Sequence, residues 1–256
     1  MNVDEKKKIT LSLIETFNKA SRVSLDLRKI GLTKEIKSDN TPVSNGDIEV
    51  NKILTNKIQE ITPNISIVSE ESNNNKADKN LKNFWLIDPI DGTRDYINNK
   101  DEFTLNAALI LDKKPIIGII AAPAKKRIFY SYGLSNSYEF TDDQEISLID
   151  KKKNSHELTA VSYSNELKPE ILAIHKKYKI ISHQKMKSSL KFCVIAAGEF
   201  DMYVAEPRAC EWDIAAGHAI LEHAGGKVTD FNGNEILYGK TGFKNPSLIL
   251  KNKNIL

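Results

Sequence analysis

Apolar residues recur every three or four positions at Ile9, Leu13, Phe17, Ala20, Val23 and Leu27, the spacing of an amphipathic helix with one face on a core. Gly31 ends that pattern. A short extended piece follows around Ile36, Thr41-Pro42 breaks the chain, and Ser44 with Asp47 three residues on predicts a capping box that opens a second helix to about Gln59. Ile65 to Ser69 and Phe84 to Asp88 read as short buried strands, each running into acidic residues. From Leu105 to Ser131, three apolar runs separated by Asp112-Lys113-Lys114-Pro115 and by Pro123 predict an antiparallel meander.

The polar stretch from Ser135 to Ser155 is the expected division between an N-terminal α+β half, residues 1–140, and a C-terminal α/β half, residues 141–256. Beyond it the pattern alternates: a strand near Ala160, a helix from Pro169 to Tyr178, a strand at Ile180, a helix from Ser188 to Ala197 and a strand at Met202. A helix from Trp212 to His223 stops at Gly225-Gly226, and Val228, Gly233 and Ile249 outline the final strands. The fold class is therefore mixed α+β and α/β, with layered sheets and helices.

At 256 residues, 40% hydrophobic and 28% charged, the chain has material for a sizeable core. Its longest apolar run, starting at Ile116, is far short of the roughly 20 residues that cross a bilayer, so no transmembrane segment is expected. Two cysteines, Cys193 and Cys210, make no disulfide framework, and the N-terminus lacks the apolar stretch of a signal sequence. A cytoplasmic location is expected, with peripheral association with the inner membrane left open. The net charge of +3 does not mark a nucleic-acid binder. The tracts Lys6 to Lys8 and Lys151 to Lys153 read as solvated surface.

The segment most informative for chemistry is WLIDPIDGTRDY, Trp85 to Tyr96. A strand that ends in Asp88, turns at Pro89 and delivers Asp91 gathers two carboxylates and the Ile90 carbonyl around one small volume. Such oxygen ligands suit Mg²⁺, Mn²⁺ or Ca²⁺. Gly92 permits close backbone approach, and a helix starting near Thr93 offers free amides to a phosphate oxygen. An Asp-Pro turn with Asp91 as a cap accounts for this segment alone equally well. Glu70 and Glu71 after ISIVS, and Asp213 at the start of an apolar helix, extend the acidic set, although a solvated loop and a helix cap would each explain one of them.

Taken in order, SEES, DPIDGT and EWDIAAGHAIL ending in HAGG resemble the inositol monophosphatase superfamily of lithium-sensitive metal phosphatases. The resemblance covers nearly the whole chain. The runs DPIDGTRDYINNKDEFTLNAALI, KSSLKFCVIAAGEFDMY and EWDIAAGHAILEHAGG are similar to 3'(2'),5'-bisphosphate nucleotidases of the CysQ type. The resemblance implies a layered αβαβα sandwich of the sugar-phosphatase type and two or three Mg²⁺ ions per site. It implies Glu70, Asp88 and the Ile90 carbonyl as ligands of a first ion, and Asp88, Asp91 and Asp213 as ligands of a second. Asp47 and Thr93 would orient or deprotonate the attacking water, with Asp91 between both ions, and Glu71 would be an outer partner. Gly92, Thr93, Ser188, Ser189, Lys191 and Asp213 are the expected substrate contacts. Ser69 stands where such motifs usually carry glycine. Ser44-Asn45-Gly46 stands where Thr-Ala-Ala is usual, a change expected to loosen the helix start that positions Asp47.

Four carboxylates within about 5 Å of one another would repel by roughly 3 kcal/mol per pair at an effective dielectric of 20. The total, on the order of 20 kcal/mol over six pairs, exceeds a typical domain stability of about 5 to 15 kcal/mol. Without cations such a cluster must protonate, splay or fill with solvent. The leading expectation is Mg²⁺-dependent release of the 3'-phosphate of adenosine 3',5'-bisphosphate or its 5'-phosphosulfate form, by a monomer or homodimer. The alternatives are an inositol monophosphatase or broad sugar phosphatase and, in a different class, a non-catalytic phosphate-binding sensor. Arg208 is balanced between gripping a phosphate and a surface ion pair. His218, His223, Cys193, Trp212, Phe192 and Phe103 read as packing or surface residues.

Overall fold

The computed structural model describes residues 1–37, 40–72, 81–151 and 157–255; Lys152, Lys153 and Ser155 lie outside them. Helix α1 (Val3–Ile30) starts earlier than its apolar stripe because Asn2 and Glu5 close a capping box, and Gly31 ends it. A two-stranded ribbon, β1 (Lys34–Ile36) and β2 (Pro42–Ser44), leads into α2 (Asn45–Ile61).

A seven-stranded sheet follows in the order β3 (Ser66–Ser69), β4 (Phe84–Asp91), β5 (Thr104–Leu111), β6 (Lys114–Ala122), β7 (Arg127–Ser131), β8 (Ser137–Thr141) and β9 (Gln144–Ser147). β3 and β4 are parallel and every later pair is antiparallel. The period of two sorts side chains to opposite faces. Trp85, Ile87, Ala107 and Leu109 pack with Leu13 and Phe17 of α1 and Val50 and Leu54 of α2, whereas Phe84, Leu86, Ala108 and Ile110 face a second core.

That second core is filled by α5 (Leu190–Ala196) and α6 (Glu211–His223), helices buried almost all round, as a layer between two sheets requires. Beyond them lies a five-stranded sheet in the order β11 (Ser182–Lys185), β10 (Thr159–Ser162), β12 (Met202–Ala205), β14 (Leu248–Lys251) and β13 (Lys227–Thr229). Helix α4 (Pro169–Lys177) closes the outer face, with Ile171 against Ala160, Met202 and Val204. The layers therefore run helix, sheet, helix, sheet, helix, as the resemblance implies. A single-turn helix, α3 (Thr93–Ile97), follows β4. No helix among the described residues is long and apolar enough to cross a membrane.

Residue 140 lies inside β8, and β9 continues the same sheet past the expected division. This hairpin is polar because it forms the sheet edge, where one apolar face suffices. Its buried Glu139 is held by Arg127 at 2.5 Å and Lys151 at 2.6 Å, which together keep its carboxyl below the usual range against the opposing cost of burial. Phe103, Phe192 and Cys193 are core residues. His218 and His223 are buried too, and His218 pairs with the Tyr238 hydroxyl at 2.9 Å.

Candidate active site

The acidic residues meet where β3 and β4 end side by side. The Glu70 amide donates to the Ile87 carbonyl at 3.0 Å, which fixes Glu70 beside Asp88. Along β4, Asp88 faces Asn106 of β5 but Asp91 faces Thr104, so three steps on one strand match two on the other. This is a β-bulge, tolerant of Pro89, and its extra residue brings Asp88 and Asp91 to the same side of the sheet. Ser189 clips the bulge to its neighbours. Its amide donates to Asp91, and its hydroxyl bonds Asn106 at 2.6 Å and Thr104 at 2.8 Å. Gly92 then turns the chain into α3 at φ 91°, where a Cβ would lie 2.9 Å from the Glu102 carbonyl oxygen.

Asp47 is reached through the predicted capping box. Its Oδ2 accepts from the Ser44 amide at 2.8 Å and the Ser44 hydroxyl at 2.6 Å, leaving Oδ1 to accept from the Thr93 hydroxyl at 3.0 Å. The same Thr93 hydroxyl lies 3.0 Å from the Ile90 carbonyl. The expected loosening at Ser44-Asn45-Gly46 is corrected here, because both arms of the box are closed. Gly46 also makes room for Tyr96, whose hydroxyl would collide with any Cβ at that position and instead donates to the Ser24 carbonyl at 2.6 Å. Gly46→Ala is expected to cost about 1–3 kcal/mol by overpacking, measured by urea unfolding; an unchanged midpoint would exclude the close fit.

Ser69 does more than occupy the place of a glycine. Its hydroxyl donates to Asn51 of α2 at 2.7 Å and accepts from the Glu71 amide at 3.3 Å. Lys37, which pattern reading passed over, sits 2.6 Å from Glu71 and 3.6 Å from Glu70. Asp213 arrives on the first turn of α6, its Oδ2 accepting from the Cys210 amide at 2.7 Å. Glu70, Asp88, Asp91 and Asp213 thus come from two strand ends and one helix and act on one another electrostatically.

Burial pushes all four carboxyls up. Glu70 is raised to about 7 by burial, against the pull of Lys37 and with the push of Glu71 and Asp91. Asp88 is raised by burial and then by Glu70, Asp91 and Asp213. Asp91 is raised by burial against Lys191, the Ser189 amide and Arg208. Burial raises Asp47 as well, opposed by its hydrogen bonds from Ser44 and Thr93.

As the side chains stand, no group of three or more His, Cys, Asp or Glu among the described residues is arranged to hold a metal ion. The donor chemistry nevertheless fits a hard divalent cation, since it consists of carboxylates and a backbone carbonyl. The buried Asp88 Oδ1 has no hydrogen-bond partner among the described residues, and burial with mutual repulsion raises the Asp88 carboxyl, a cost that a bound cation would relieve. Closing on an ion requires side-chain adjustment of this cluster.

Asp91 and Asp213 also border a cavity of about 130 Å³ that Ser188, Ser189, Lys191 and Arg208 line. Burial lowers Lys191 to about 8, although Asp91 pulls it upward. Every residue expected at the site therefore falls in one region, apart from Glu71, which faces Lys37 at its margin. Tyr163 and Tyr203, also on the cavity wall, carry no local sequence signal for such a place.

The inositol monophosphatase family model matches residues 5–255. The chain is 37% identical over 205 residues to the 3'(2'),5'-bisphosphate nucleotidase CysQ of Buchnera aphidicola, covering 79% of this chain and 76% of that one. It is 31% identical to the CysQ of Aggregatibacter actinomycetemcomitans, covering 86% and 83%. The crystal structure of CysQ from Bacteroides thetaiotaomicron superposes with a TM-score of 0.76 at 26% identity, over 98% of this chain and 99% of that one. A match over almost the full length, together with the layered fold and the bulged DPIDGT segment, places this chain in the inositol monophosphatase family, metal-dependent phosphomonoesterases of phosphorylated small molecules.

Proposed function

We propose that this enzyme removes the 3'-phosphate of adenosine 3',5'-bisphosphate, and that its 5'-phosphosulfate form is a second substrate. The observation that carries the reading is a carboxylate cluster bordered by a cation-lined cavity, in a chain similar to proteins named CysQ. Glu70, Asp88, the Ile90 carbonyl, Asp91 and Asp213 would hold two or three Mg²⁺ ions, whose chemistry is to neutralise phosphate charge, acidify a water and stabilise the leaving oxygen. Thr93 has one hydroxyl proton and lies 3.0 Å from both Asp47 and the Ile90 carbonyl; when it gives that proton to Asp47, its oxygen is left to accept a hydrogen bond from the attacking water. Asp47 is kept an acceptor by three donors and takes the proton passed along this chain. The backbone amides of Gly92 and Thr93, where the chain turns into α3, would face phosphate oxygens. Glu71 holds Lys37 beside Glu70 and so tempers the charge at the margin.

Phosphate release from adenosine 3',5'-bisphosphate, inositol 1-phosphate and fructose 1,6-bisphosphate, each with Mg²⁺ and then with added Li⁺, tests the reading. The nucleotide is expected to give the highest kcat/KM, with Li⁺ inhibiting. A preference for inositol phosphate would overturn the substrate assignment, and binding without release would indicate a sensor.

A further inference from the structure

Arg208 and Lys191 line the cavity beside Asp91, and Lys187 joins Arg208 at the Tyr163 ring on its wall. The Arg208 guanidinium carbon lies 3.3 Å from the centre of the Tyr163 ring, and the Lys187 ammonium 3.7 Å from it. The Lys191 ammonium lies 5.2 Å from the Tyr203 ring. Both rings, with Arg208 and Lys191, belong to the cavity wall. Among the described residues none of these three cations is within 4 Å of a carboxylate oxygen, in contrast to Arg127, Lys151 and Lys240, each of which has a close carboxylate partner. The Tyr163 face holds the Arg208 and Lys187 charges in place without neutralising them, and the Lys191 ammonium is held by the Ser188 carbonyl.

Arg208 is exposed and also borders the neighbouring cavity that contains Glu70 and Glu71, so its guanidinium stands at the junction of the acidic floor and the basic wall. An acidic floor suits the phosphate that is cleaved once cations are bound. A stacked planar fork, with two ammonium groups nearby and no carboxylate oxygen within 4 Å of any of the three among the described residues, suits a second phosphate that is not cleaved. Tyr163 has its phenol held below the usual range, first by Arg208 and then, against burial, by Lys187, which marks a local excess of positive charge.

The geometry points to Arg208, stacked on Tyr163 and assisted by Lys187, as the residue that recognises the 5'-phosphate and so separates bisphosphates from monophosphates. This rests on the nucleotidase reading above. It requires no part of the fold to depend on Arg208, whose side chain is at the rim.

The experiment compares kcat/KM for adenosine 3',5'-bisphosphate and adenosine 3'-monophosphate at saturating Mg²⁺. In Arg208→Ala the bisphosphate-to-monophosphate ratio is expected to fall by about 10- to 100-fold, mainly through KM, the scale of one charge-assisted hydrogen-bonded contact. Arg208→Lys restores only part of the ratio, because it keeps the charge and loses the fork. Tyr163→Leu moves it in the same direction by less. An unchanged ratio, or equal losses on both substrates, overturns the assignment. If the wild type cleaves neither nucleotide, the nucleotidase reading fails on its own. Arg208 is then judged by the ratio for inositol 1,4-bisphosphate over inositol 1-phosphate, and an unchanged ratio in Arg208→Ala again overturns it.

Discussion

Asp91→Asn is expected to lower phosphate release by about 10³-fold, roughly 4 kcal/mol of transition-state stabilisation, while the fold survives. Asparagine keeps the shape of the side chain, and its amide oxygen can still accept from the Ser189 amide that pins the bulge. What it loses is the negative charge on the side chain proposed to lie between both ions. Because burial already penalises that charge, the metal-free Asn variant is expected to melt at or above the wild-type temperature. Phosphate assays and circular dichroism on the same preparations check both halves. A well-folded Asn variant that turns over at the wild-type rate would remove Asp91 from the mechanism.

Metal-free protein should lose stability as pH rises from about 4 to 8, and Mg²⁺ should restore more at the alkaline end. The sign follows from the carboxyls being raised in the fold. Unfolded chains ionise these groups near the ordinary carboxylate range, whereas the folded chain holds its protons longer, so the penalty grows with pH until the folded group also ionises. For Glu70, moved from 4.5 to about 7, the penalty is about 3 kcal/mol, complete above pH 7. Asp88, Asp91 and Asp213 shift in the same direction. A cation at 100 times its dissociation constant contributes about 2.7 kcal/mol, or roughly 5–10 °C in melting temperature for a chain of this size. Thermal melts at pH 5.5 and 8 with EDTA, Mg²⁺ or Ca²⁺ measure it. Ca²⁺ should stabilise as well, with poor turnover because its coordination is looser. Shifts of equal size at both pH values would mean that the carboxyls are not the binding groups.

Local features of this site were legible before any coordinates. The capping box of Ser44 and Asp47 needs only residues within one helical turn, whereas the turn expected at Pro89 is a bulge within a strand that continues to Asp91, because pairing with β5 holds the chain extended. The periodic stripe of α1 was equally plain. What escaped was created by distant packing. Lys37 reaches Glu71 from a different ribbon, and Tyr163 and Arg208 meet across the end of the smaller sheet. Gly46 looked like a weak point because the ring that fills its missing side chain comes from α3. The β8–β9 hairpin was hidden by its own edge position, whose charged residues resemble those of a linker.

The two sheets divide the labour in a way that bears on how such enzymes diversify. Glu70, Asp88, Asp91, Thr93 and Asp47 all belong to the larger sheet and its helices, whereas Tyr163, Lys191, Tyr203 and Arg208 belong to the smaller sheet and the segments around it. Asp213 and Ser189 bridge the two, carried by the middle helix layer and the turn that opens it. Exchanging the rim contributed by the segments after β10 and β12, with Ser189 kept to pin the Asp91 bulge, therefore offers a route to new leaving groups, so a chimera should inherit its chemistry from one parent and its appetite from the other.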